Sequence, residues 1–143
     1  METGLLHLHN ALRWVLLLLL LLSIVQAFAK KDSLKSTSLF LMIAAHTMLL
    51  IGLYQILGGR YSWGKVPEGV SVMKDSFYRF YLVEHPLLMI LAVVLITWAR
   101  TKAKALAYKP VSYALIVALL MILAAMPWPF RTGIGNPAWF PGM

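Results

Sequence analysis

The chain contains no cysteine. Disulfides, thiol catalysis and cysteine metal sites are therefore excluded. Acidic residues are few, five in 143, and all charged residues together make up 13%, against roughly 25% in an average globular protein. No Ser/His/Asp arrangement, phosphate-binding glycine loop, H-E-x-x-H or paired carboxylate motif is present, so hydrolytic chemistry has no support. Nor is there an internal repeat. Residues of the AVILMFWYC set fill 61% of the chain. A soluble protein this small buries only about two-thirds of its surface, so that fraction would leave large apolar patches in water. Disorder is excluded by the same composition.

The apolar residues fall into four runs, Ala11 to Ala29, Leu39 to Leu57, Leu82 to Ala99 and Val111 to Met126. Each is close to the roughly 17–25 residues that a spanning helix needs. None alternates as a membrane β-strand would, and helices satisfy every backbone group within one segment. The expectation is an all-α fold: one membrane domain over residues 1–143, a transmembrane four-helix antiparallel bundle. Helices are expected near 5–29, 37–57, 76–100 and 110–126, followed by a tail over 127–143. Lys74-Asp75-Ser76 reads as a helix start, with Asp75 or Ser76 as N-cap. Four prolines and three glycines in the tail preclude a helix there and place it across the end of the bundle. Arg13, the leucine run and Ala27-Phe28-Ala29 imitate a signal peptide. The absence of a basic residue before Arg13, and the acidic Glu2, favour a retained first helix.

Thirteen basic residues against five acidic ones give a net charge of +8. They lie in short segments between apolar runs, which points to lipid headgroups and not to nucleic acid. Lys30, Lys31, Lys35, Arg100, Lys102, Lys104 and Lys109 share one side, packed into two short connections. The positive-inside rule makes that side cytoplasmic and puts both termini and the long loop outside. Trp14 and Trp128 then mark the outer interface and Trp98 the inner one.

Polar groups inside the apolar runs are rare and therefore informative. His46 stands in the middle of FLMIAAHTMLLIGLYQ, His85 in YLVEHPLLMI, and His7 and His9 in LLHLHNALRW. Two imidazoles from different helices of a bundle hold a haem iron; zinc or copper accepts imidazole equally. Ala44, Ala45 and Gly52 give room beside a flat ring, and Arg13, Arg79 and Arg131 are cations on the outer side. Counted from the inner ends of the apolar runs at about 1.5 Å per residue, His46, His85 and His9 lie about 10, 21 and 30 Å deep. They form a ladder, which also suits a metal or proton path. Tyr78, Tyr81 and His85, at i, i+3 and i+7, share one helix face. Glu84 points elsewhere, with Arg13 or a protonated histidine as its expected neutralising partner.

LHLHNALRW, AAHTMLLIGL, RFYLVEHPLLMI and a fourth helix ending AAMPWPF together resemble a family of small bacterial four-helix membrane proteins labelled "cytochrome B", over roughly residues 4–131. The resemblance implies a haem b protein of the bacterial inner membrane that transfers electrons, more a carrier or subunit than a stand-alone enzyme. His46 and His85 are the first-choice ligand pair, with His9 or His7 as the outer alternative and Arg13 and Arg79 as propionate partners. Candidate partners are a quinone, a respiratory complex or a second copy of the chain. Two alternatives of other classes are carried with it. One is a haem-free copper or zinc binding or transport protein using His46, His85 and His9; the other is a structural subunit of a membrane complex.

Overall fold

The computed structural model describes residues 2–59, 61–135 and 139. Every extended element among them is a helix. Helix α1 is Glu2–Phe28, α2 is Leu34–Leu57, α3 runs unbroken over Ser76–Lys104, and α4 is Tyr108–Ala125. All four are long and apolar enough to cross a membrane. Consecutive helices pack side by side and α4 returns to α1, so the four close into an antiparallel ring.

The packing positions recur at coiled-coil spacing. On α4 the buried residues include Val111, Leu115, Ala118, Ile122 and Ala125; on α3 beyond its first turns they are Ala92, Ile96, Ala99 and Ala103. Alanine is the commonest residue among them. Between lipid-bathed helices the apolar effect gives no preference for a neighbour over a lipid tail, so small residues that allow close backbone approach set the interface. On α1, Leu17, Leu20, Ser23, Ile24 and Ala27 are buried. The opposite faces carry Leu18, Val25 and Phe28, which are 68%, 62% and 63% exposed and suit a lipid surround.

The two ends of the bundle differ. At the lysine end, two tight turns join α1 to α2 and α3 to α4. Each passes through one left-handed residue, Lys30 and Leu106, both at φ 52°. Arg100 Nη1 donates to Lys35 O at 2.9 Å and Tyr108 Oη to Asp32 Oδ1 at 3.0 Å, tying the two turns together. Trp98 sits at this end, with Lys102 Nζ 5.4 Å from its ring centre. The other end carries the N-terminus, the long loop and the tail. There Gly59 folds back onto α2 so closely that a Cβ would lie 2.7 Å from Gln55 Cα.

Helix α3 starts as the sequence predicts. Asp75 is its N-cap, its Oδ1 accepting from Phe77 N at 2.9 Å and Tyr78 N at 3.1 Å. Asp75→Ala is expected to cost about 1 kcal/mol, read as faster amide exchange at Phe77 and Tyr78. Phe80–Glu84 then forms a π-turn. Pro86 explains it: with no N–H for the Leu82 carbonyl and a ring that crowds it, the helix widens there. The π-turn also brings Arg79 and Glu84 together. Five residues apart on a regular helix, they would face about 140° away from each other; here Arg79 Nε is 2.9 Å from Glu84 Oε1.

The described part of the tail is non-helical and lies across this end; residues 136–138 and 140–143 lie outside the described residues, as do Met1 and Arg60. Ile134 is buried, and its carbonyl accepts from Tyr81 Oη at 3.2 Å. The Trp139 carbonyl accepts from Arg13 Nη2 and from Trp14 Nε1. The tail thus touches both α3 and α1.

Candidate functional site

A cavity of about 350 Å³ opens inside the ring of helices, toward the tail end. It is within the range of ligand-binding cavities. Its walls come from α1, α2 and α3, with Ile122 and Met126 closing the α4 side and Tyr61 the loop side. Ala45 and Gly52 on α2 and Ala92 on α3 keep the walls thin. A Cβ added at Gly52 would stand 3.6 Å from His9 Cε1, so the glycine borders the imidazole directly.

Across this cavity His9 on α1 faces His85 on α3, with ring centres 6.3 Å apart and planes at 63°. Counting from the ends of the apolar runs sets these two about 10 Å apart in depth. The helix ends correct that estimate. His9 lies nineteen residues from Phe28, and His85 nineteen residues from Lys104, so both stand about 28 Å from the lysine end. Helix α3 continues past Ala99 to Lys104, and those extra residues account for the discrepancy.

His85 is held in one orientation. Its Nδ1 is 2.7 Å from Ala125 O; a carbonyl only accepts, so Nδ1 carries the proton and Nε2 keeps its lone pair. Ala125 is the last residue of α4, whose final carbonyls lack helical partners. Three side chains supply them. Trp128 Nε1 donates to Leu123 O at 2.9 Å, Arg131 Nη1 to Ala124 O at 2.8 Å, and His85 to Ala125 O. Arg131 also lies 4.5 Å from the Phe80 ring centre and 3.7 Å from Glu84 Oε2. The π-turn, the end of α4 and the start of the tail are therefore one assembly around His85.

His46 is elsewhere. It is exposed on the outer face of α2, and its Nδ1 bonds back to Met42 O at 2.9 Å on its own helix. The first-choice pair His46 and His85 is not brought together; the outer alternative, His9, is the residue that meets His85. His46 lies twelve residues from Leu34, about 10 Å nearer the lysine end than the pair. The three-ligand group His46, His85 and His9 is accordingly not formed, and no cluster of three or more His, Asp or Glu able to hold a metal occurs among the described residues. His46→Leu is expected to leave any ligand bound at the cavity unaffected and the melting temperature equal or higher, because it removes a polar ring from the lipid-facing side. Spectra and thermal melts of the purified variant test this.

His7 lines the cavity nearer its mouth. Arg13 is buried and lines it too, with its Nη2 on the Trp139 carbonyl. Arg79 is not among the lining residues; it is engaged by Glu84 and by Met73 O at 3.1 Å. Glu84 is neutralised by Arg79 and Arg131, not by Arg13 or a histidine as the sequence suggested. Of the predicted tyrosine face, Tyr81 joins His85 in the cavity wall, stacked on Tyr61 with centres 4.5 Å apart. Tyr78 instead borders a smaller hollow beside Phe77. Gln55 and Tyr61 are lining residues that sequence reading missed. A glutamine in an apolar helix is a signal of the same kind as the histidines.

Scans against protein-family models, curated proteins and solved structures return no match for this chain.

Proposed function

We propose that this chain is a membrane-embedded b-type cytochrome in which His9 and His85 would hold one haem iron. The observation that carries the reading is the opposed imidazole pair at one depth across an apolar cavity. Two imidazoles on one metal, with metal–nitrogen bonds of about 2.0 Å, have ring centres about 6 Å apart, and 6.3 Å is the separation present. The donor set fits haem in other respects. The slot beside His9 is bordered by a glycine, its walls are apolar, and Arg13 supplies a cation in the lining.

Haem bound in this way supplies one-electron exchange. The protein's own part is orientation and exclusion. Ala125 O fixes the His85 tautomer and, by accepting its Nδ1 proton, makes Nε2 a stronger donor. The bundle core, from Leu16 to Ile122, keeps water from the cavity floor. Placed near the tail end, the site exchanges electrons at one membrane face with a quinone or a partner subunit. The seven basic residues at the opposite end support an orientation with that face outside, in a bacterial inner membrane.

The test is a visible spectrum of protein purified from haem-replete cells, oxidised and then reduced with dithionite. A Soret band that sharpens and shifts on reduction, with low-spin bis-imidazole character, is the expected result. A helical, monodisperse preparation without a Soret band overturns the reading. Copper or zinc in place of iron in elemental analysis would move it to the haem-free metal alternative.

A further inference from the structure

The cavity is graded in polarity along its length. Its deep end is bounded by Ala92 and Ile96; its mouth carries His7, Gln55 and Tyr61. Gln55 is only 9% exposed, yet its Nε2 is buried without a hydrogen-bond partner among the described residues. His7 Nδ1 is in the same condition. A buried donor left unpaired costs about 1–3 kcal/mol, so Gln55 Nε2 calls for a ligand that accepts hydrogen bonds, and His7 Nδ1 can donate to the same ligand in its Nδ1–H tautomer. Gln55 is itself a lining residue, so a ligand in the cavity lies beside it.

We infer that Gln55 and His7 form a carboxylate-binding end of this cavity, holding the anionic edge of the ligand and so fixing which way round it lies. The inference rests on the haem reading and deepens it. Gln55 is one turn from Gly52, about 4.5 Å along α2 toward the mouth, and Gly52 borders His9. A flat macrocycle held by His9 and His85 would present one edge to Gln55 and His7, and the opposite edge to a floor of Ala92 and Ile96 with Arg13 on the α1 side. A ligand with carboxylates on a single edge has one favourable orientation there. An amide Nε2 and a neutral imidazole N–H are donors and a carboxylate only accepts, so the pairing is complementary. Of the two cations expected from sequence to serve this role, Arg79 is occupied by Glu84, and Arg13 lines the cavity with its Nη2 on the Trp139 carbonyl.

The experiment titrates the full-length chain in detergent with ferric protoporphyrin IX and, separately, with its dimethyl ester, following the Soret band. The ester keeps the ring and iron but has lost the carboxylate charge. Gln55→Leu is expected to weaken protoporphyrin binding about tenfold, the scale of one hydrogen bond to a charged group, and to leave ester binding as in the wild type. Gln55→Glu, which sets one carboxylate against another, should lose more with protoporphyrin and little with the ester. His7→Phe should behave as Gln55→Leu. Equal weakening of both porphyrins makes Gln55 a packing residue and overturns the inference, as does wild-type binding by all three variants; in either case the ligand pair stands. A wild-type chain that takes up neither porphyrin overturns the haem reading and this inference with it.

Discussion

His85→Ala is expected to abolish haem retention, with affinity falling at least a hundredfold and no Soret band surviving purification. Two losses coincide in this variant. The iron loses one ligand, and the Ala125 carbonyl loses the donor that completes the end of α4. The apo protein should itself be destabilised, by about 1 kcal/mol for a carbonyl left unsatisfied. His9→Ala separates the two effects. No hydrogen bond to His9 Nδ1 occurs among the described residues, and His85 stays locked on Ala125 O. That variant should keep weaker, five-coordinate, high-spin binding, with an apo melting temperature close to wild type. Added imidazole should restore the low-spin spectrum to His9→Ala more readily than to His85→Ala. Equal behaviour of the two variants, or full binding in either, would contradict the assignment of the pair.

The second large effect is expected at Gly52. Gly52→Leu should improve the helix and ruin the site. Glycine inside a helix costs about 1 kcal/mol relative to a good helix former, so apo stability is expected to hold or rise. The leucine side chain, however, extends past the 3.6 Å position of its Cβ into the space beside His9, and haem affinity should drop by two orders of magnitude. Gly52→Ala is the internal control: its Cβ makes only ordinary contact with His9, and binding should stay within a fewfold of wild type. Parallel thermal melts and haem titrations read the opposing signs. Wild-type affinity in Gly52→Leu would mean that the ligand does not occupy the cavity between α2 and His9.

The four helices were legible because membrane spans announce themselves by length and composition, and the Asp75 cap because its side chain acts on its own next residues. The cavity partners of the histidines were not. In water, an apolar stripe shows which side of a helix faces inward. In α2 both sides are apolar, Leu41 and Ala45 toward the bundle and Phe40, Ile43 and Leu50 away from it, so nothing in the local pattern shows that His46 turns outward. Depth failed for a related reason. Hydropathy finds where apolar side chains stop, whereas α3 keeps its helical hydrogen bonds through Arg100, Lys102 and Lys104. The π-turn was hidden as well, although Pro86 was its visible cause. The small-residue seam of α3 and α4 lies in plain sight as Ala92, Ala99, Ala103, Ala118 and Ala125. Only packing separates these buried alanines from Ala124, which is exposed one position away.

The π-turn at Phe80–Glu84 also bears on the history of the chain. A wide turn of this kind holds one residue more than the α-helical turn it replaces, as a single-residue insertion would. Deleting one residue there would return α3 to regular winding while the segments before and after it keep their faces, because the wide turn already absorbs the extra residue. Arg79 and Glu84 would then stand four positions apart, about 40° round on a regular helix, and could stay paired, and Tyr81 would remain on the side of α3 that carries His85. Relatives descended from a form without the extra residue should thus align with a one-position gap inside FYLVE, with the histidine on one side of the gap and the arginine on the other keeping their faces.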